Sequence, residues 1–419
     1  MKYPKIASGL IALFAGLGLG GCGGGGGGTT SAGNTTVGVI TGFGSVYVNG
    51  CEYETDSASI SVEGTSASED DLNVGDVVEV TGPANCTYAD ATSIKYSDEL
   101  EGVVDSNSVT TGTGIMVIMG QDVTINDLTI FDDETGSVAT VNDVATGHVV
   151  EISGFSIGTG EIVATRVEVK ALSLAAYLAT YTDDIDVKGV VTSHNGTTSE
   201  FKIGNLTVDY GSAILDDISV ITDGLYVEVN ATDYTAGSMT LVATKVERED
   251  DGEIGRQGDD DEEFEIKGML TAAYNDATKT FGINDQMVLV DNNTEYEGLS
   301  TGDMTSANLG MLYMEVEGTF NTNGVLVAEE VELEDDNVND SFEVQGYISN
   351  LVATGTNMGT LTVGGTNLTV TNDTIMKDSE GDSPESRFNL THLRDGDFIE
   401  VYYDGSSGMI IKLERDDAS

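Results

Sequence analysis

Three cysteines, three histidines and 72 acidic residues are the groups in this 419-residue chain that have chemistry to offer. Cys22 stands inside a glycine run directly after an apolar stretch, whereas Cys51 and Cys86 share one later segment. Beyond the reducing cytoplasm, two cysteines so placed most simply form a disulfide, which leaves Cys22 as the odd one. His148, His194 and His392 lie at unrelated positions, none beside another His or Cys, so a zinc site is unsupported. After residue 22 there is no HExxH motif or Walker loop. Gly16 to Gly21 satisfies G-x-G-x-x-G, but no strand precedes it and the dinucleotide reading fails. Acids are frequent enough to supply a glycosidase pair, yet the chain has no tryptophan and little aromatic surface for a sugar cleft. The sequence therefore points away from an enzyme. The densest acidic run, "EREDDGEIGRQGDDDEE", spans Glu247 to Glu263 with ten acids and two arginines. Within it Asp259, Asp260, Asp261, Glu262 and Glu263 offer hard oxygen ligands, and calcium is the one cofactor the sequence admits. No calcium loop of the D-x-[DN]-x-[DN]-G type supports that site; "DNNTEYEG" has Tyr296 where the glycine belongs. A solvated linker is the favoured reading of the run.

Seventeen Lys and Arg face those 72 acids, a formal net charge of −55. Such an excess commonly prevents a core from forming. Here 39% of residues are apolar, and Val, Ile, Leu and Tyr alternate in short runs that read as half-buried strands. The chain is expected to fold with an acid-coated surface. That surface repels phosphate, so nucleic acid is excluded as a partner and anionic lipid headgroups are disfavoured. Divalent cations, cationic proteins and neutral glycans remain compatible.

The elements that must carry these groups repeat five times. A first signature recurs as "TVGVITG", "LEGVVDS", "VKGVVTS", "IKGMLTA" and "VQGYISN". Two strand-like runs follow in each copy, joined by Asn49-Gly50, Gly120-Gln121, Gly204-Asn205, Asn284-Asp285 or Gly364-Gly365. Most of these dipeptides accept the positive φ of a two-residue hairpin. After a variable loop comes "GDVVEVTG", "GHVVEISG", "GLYVEVNA", "LYMEVEG" or "GDFIEVYY", and each copy closes on one more strand. Glu79, Glu151, Glu228, Glu315 and Glu400 sit between apolar neighbours in that signature. Alternation turns the apolar pair inward and the glutamate outward, to a solvent face that protects an edge. A five-stranded meander with an insertion before its fourth strand suits a small closed barrel of the OB type, and an SH3-like barrel gives a similar string. Between copies two and three, "ALSLAAYLATY" places Leu174, Tyr177, Leu178 and Tyr181 at helical spacing, a packed spacer.

The repeated "VNG" hairpin, "GDxVEVxG" strand and "ATxVE" strand resemble the domain of unknown function 5666 family, found in tandem in secreted and lipid-anchored bacterial proteins. The resemblance covers nearly all of the chain after the leader and implies OB-like barrels, with no catalytic residues or known ligand. The fourth copy departs from it, with "LGMLYMEVEG" in place of the Gly-Asp turn. Leu19-Gly20-Gly21-Cys22 resembles the lipobox of bacterial lipoproteins. That resemblance implies cleavage before Cys22, diacylation of its sulfur and, with Gly23 rather than aspartate next, release to the outer membrane. The basic start and short apolar run of residues 1–21 read as its signal peptide. The expected organisation is signal peptide 1–21, glycine-rich tether 22–36, module 1 at 37–97, module 2 at 100–170 and helical spacer 171–183. Module 3 follows at 185–249, an acidic linker at 250–263, module 4 at 264–334 and module 5 at 342–415. The fold class is all-β, five tandem small OB-like barrels. The expected function is that of a lipid-anchored, non-enzymatic envelope protein that binds or spaces an envelope protein or glycan. One alternative is a calcium-stiffened adhesion or matrix protein. The other is a glycan-binding array, with Tyr88, Tyr210 or Tyr234 as stacking groups.

Overall fold

The computed structural model describes residues 35–83, 87–157, 160–181, 184–249, 263–284, 286–321, 325–334, 341–381, 384–405 and 407–416. Cys22, Cys86 and Asp259 to Glu262 lie outside them, and of Glu263 only the backbone is described. The described residues form an all-β fold of five repeats, with one α-helix, Leu174–Thr180.

Module 2 shows the common plan. Its first strand, Leu100–Asn107, pairs antiparallel with the second, Gly114–Ile118, which pairs with the third, Gln121–Ile125. The third runs parallel to the fifth, Glu161–Ala171; the fifth pairs with the fourth, Val149–Ile157; and the fourth returns to the first. Modules 1, 3 and 4 repeat this circuit. In module 5 the third-to-fifth contact is a single parallel bridge, Thr369 to Met409.

The hairpin turns follow their dipeptides in four modules. In module 2 the ladder pairs Ile118 with Gln121, so the turn is Met119-Gly120 rather than Gly120-Gln121. Met119 takes a φ of 44° there because its side chain is fully buried, and that burial outweighs the cost of left-handed backbone. The turn also explains the glycine of the first signature. A Cβ on Gly38 would lie 2.0 Å from Asn49 Oδ1, one on Gly102 2.5 Å from Met119 Cε, and one on Gly268 1.9 Å from Asn284 Oδ1. The turn residue folds back over the first strand, and only glycine leaves it room. Asn49 Nδ2 then donates to the Val37 carbonyl at 3.1 Å, and Met269 N–H donates to Asn284 Oδ1 at 3.0 Å.

The modules are not separate beads, and this corrects the expected string of barrels. The second strand covers only the C-terminal half of the first, so the N-terminal half keeps an open edge. Unpaired edges recruit a neighbour. Thr35 to Val37 of module 1 pair in parallel with Phe264 to Ile266 of module 4. Leu100 and Glu101 of module 2 pair antiparallel with Val187 and Asp186 of module 3. One sheet therefore joins modules 1 and 4, another joins 2 and 3, and the apolar core of 2 runs without a break into that of 3.

Candidate functional site

The glutamates of the fourth strands, expected on a solvent face, are half-buried and engaged. Glu79 pairs with Lys95 at 2.9 Å, Glu315 with Lys267 at 2.8 Å and Glu151 with Lys170 at 3.2 Å. Asn230 Nδ2 donates to Glu228 at 2.7 Å, and Tyr402 and Gln345 donate to Glu400. The outward faces carry long polar side chains, so each glutamate belongs to a layer of polar contacts. Burial pushes the Glu315 carboxyl up to about 8 despite the adjacent Lys267.

Module 1 is where these layers converge. Towards module 2, Val77 N–H donates to Ser153 Oγ at 2.8 Å, Thr165 Oγ1 to the Gly75 carbonyl at 2.6 Å and Tyr96 OH to Glu151 at 2.8 Å. Arg166, 3% exposed, places its guanidinium 3.6 Å from Asp76 and 2.9 Å from Glu168, and it also pairs with Asp132. Burial raises the Asp76 carboxyl to about 7 against the attraction of Arg166. Asp132 is held below the usual carboxylate range: burial opposes this, but Arg166 and Lys377 prevail. Lys377 comes from module 5 and pairs with Asp132 at 3.3 Å. Module 5 reaches module 1 through Thr41 Oγ1, which donates to the Asn372 carbonyl at 2.8 Å. Asn372 Nδ2 returns a bond to Gly50 at 3.0 Å, and Arg387 lies on Glu69, Asp70 and the Phe43 ring. Towards module 3, Lys188 donates to Ser97 and to the Asp98 carbonyl. A cavity of about 90 Å³ lies where modules 1, 2, 4 and 5 meet, lined by Val39, Phe155, Met269, Tyr313 and Ile375 together with Lys267 and Asp373.

The structure does not gather the sequence-nominated groups into one place. Cys51 is buried at the start of the strand Cys51–Glu54, beside the strand Tyr88–Asp90. His148 accepts from Ala145 N–H and His392 from Asn389 N–H, each closing its own turn, and His194 bonds the Tyr210 hydroxyl at 2.7 Å. Tyr88 is exposed, Tyr210 packs on Phe201, and Tyr234 donates across to Asp105 of module 2, so the three make no common stacking surface.

Arg166, Lys170, Lys188 and Lys267 were missed as a set. Lys188 and Lys267 did carry a signal. The residue before the signature glycine reads Val37, Glu101, Lys188, Lys267 and Gln345, changing charge while the residue after the glycine stays apolar. It is also the position that faces the neighbouring module or strand row.

The domain family described as "Domain of unknown function (DUF5666)" matches five segments, residues 36–87, 101–168, 188–247, 267–332 and 340–411. No curated protein matches the chain.

Proposed function

The chain belongs to the DUF5666 domain family, in five tandem copies, and from that premise we propose an exported lipoprotein held at the outer membrane by Cys22. Its modules, read as OB-like barrels, act together as one non-enzymatic body that spaces or presents a surface in the envelope. The barrel reading is supported by the strand circuit, first-second-third-fifth-fourth-first with its one parallel pair. The observation that carries the functional reading is the place of module 1. It follows the tether, and it bonds to modules 2, 3, 4 and 5. A load on Cys22 is thereby shared among four junctions rather than passed along a string. Glycine-rich residues 23–34 give a reach of roughly 20 Å from the lipid. Palmitate labelling of the full chain and of Cys22→Ala tests the anchor. Label is expected on the wild type alone, and equal labelling of both overturns the proposal.

A further inference from the structure

Where the first strands of modules 2 and 3 meet, Asp186 stands opposite Glu101. The ladders continue that row to Glu151 and then to Glu168. Four carboxylates thus sit in register on adjacent strands, an arrangement that by itself weakens a sheet. At one end the row is compensated, since Arg166 and Lys170 contact Glu168 and Lys170 contacts Glu151. At the other end Asp98, from the segment between modules 1 and 2, adds a fifth carboxylate. Ligand oxygens of Asp98, Glu101 and Asp186 all lie within 4.8 Å of one another, and the three residues are only 3%, 8% and 8% exposed. Asp98 Oδ1 and Asp186 Oδ1 are buried with no hydrogen-bond partner.

The cation nearest this trio is Lys188, whose ammonium is held by Ser97 and the Asp98 carbonyl and also faces Glu63 and Glu99. One ammonium shared with Glu63 and Glu99 cannot balance the three buried carboxylates of the trio. The remaining groups around the trio are Glu228 beside Asp186, Glu151 in the row, and the Tyr177 hydroxyl, which donates to Glu101 at 2.6 Å. We propose that Asp98, Glu101 and Asp186 bind a divalent cation of the calcium class, which locks module 3 to module 2 and to the end of module 1. The three oxygens are separated by no more than 4.8 Å, within the range for oxygens that share one calcium at about 2.4 Å each. Carboxylates alone suit a hard cation, and the absence of His or Cys from the trio disfavours zinc. Calcium tolerates irregular oxygen sets, whereas magnesium keeps several waters that this buried space does not favour. Burial pushes the Asp98 and Asp186 carboxyls well above the usual carboxylate range, so binding of an ion there competes with protons.

Equilibrium dialysis with radioactive calcium, on the full chain in detergent at 0.15 M NaCl, reads the site directly. The wild type is expected to show one saturable site that survives a tenfold excess of magnesium, and Asp186→Asn to lose at least tenfold in affinity. Asp98→Asn repeats the test in a second variant. In chelator both variants should melt no lower than the wild type, because asparagine relieves the repulsion. Only the rise of melting temperature with calcium should disappear. Neutralising Asp259, Asp260 and Asp261 to Asn should leave the site intact. A wild type without a saturable site at millimolar calcium overturns the proposal in favour of shared protons. Unchanged affinity in both Asn variants, or loss of the site with the acidic run alone, overturns it as well.

Discussion

Replacing Arg166 with methionine keeps the volume at the junction of modules 1 and 2 and removes its buried guanidinium. Asp132 keeps Lys377 and Glu168 keeps Lys170, so Asp76 is the carboxylate that loses the cation it faces. Removing one partner of a buried pair costs about 3–5 kcal/mol. The loss should depend on pH, with a sign set by Asp76. Its carboxyl is raised from 3.8 to about 7, so between those values the folded protein holds a proton that the unfolded chain releases. Stability from this group is therefore full below about pH 4 and declines as pH rises towards 7, by about 4 kcal/mol in all. At pH 5 Asp76 is protonated in wild type and Arg166→Met alike, and the gap between them should be under about 2 kcal/mol. At pH 8 the wild type holds an ionised Asp76 against Arg166 and the variant cannot, so the gap should widen by up to about 1.4 kcal/mol, to about 3 kcal/mol. Urea unfolding followed by circular dichroism reads this as a midpoint drop of about 1 M or more at pH 8. Adding Asp76→Asn to Arg166→Met should recover about 2 kcal/mol or more, since asparagine still accepts from Asn73 N–H, a bond of 2.7 Å in the wild type. An equal loss at both pH values, or no recovery in the double variant, refutes this account of the junction.

Gly160→Ala should loosen the contact between modules 2 and 3, because a Cβ there would lie 2.5 Å from Gly204 Cα, a backbone atom that has no cheap way to give. Gly136→Ala, at a similar positive φ with nothing within 4 Å, should lose only about 1 kcal/mol of backbone strain; a matching loss in thermal scans of the two variants refutes the clash. For the Cys51–Cys86 pairing expected from the sequence, alkylation of the unreduced, denatured chain should leave both thiols unlabelled. Cys51→Ser should then cost up to about 4 kcal/mol by loop-closure entropy, and labelling of Cys51 in the unreduced wild type refutes the pairing.

The repeat and its strands were legible because they rest on patterns that one strand carries within itself. "VVEV" places Val78 and Val80 in the core without reference to any other module, and Asn49-Gly50 dictates its own turn. The inter-module pairings were not legible, because Thr35–Val37 and Leu100–Glu101 meet their partners through backbone groups that every residue possesses. The outward glutamates were misjudged for the same reason. Alternation says that Glu79 and Glu315 leave the core, but only the register with the adjacent strand brings Lys95 and Lys267 beside them. The row from Asp186 to Glu168 draws on four strands and two modules, so no local window of sequence contains it.

The same facts explain how so acidic a chain holds together. Seventeen cations cannot neutralise 72 acids spread over a surface, and exposed pairs contribute little in any case. Three cations instead stand at the seams, where an unpaired carboxylate is most expensive: Arg166 between modules 1 and 2, Lys188 between 1 and 3, Lys267 beside the strand shared by 1 and 4. Surface acids are left to repel one another through solvent, where salt screens them. On this arrangement the seam at Asp98, Glu101 and Asp186 holds more buried carboxylates than its lysine can match. Charge balance there must come from protons or from an ion, and the two differ in a measurable way: bound calcium would stiffen the seam as pH rises, whereas shared protons would weaken it.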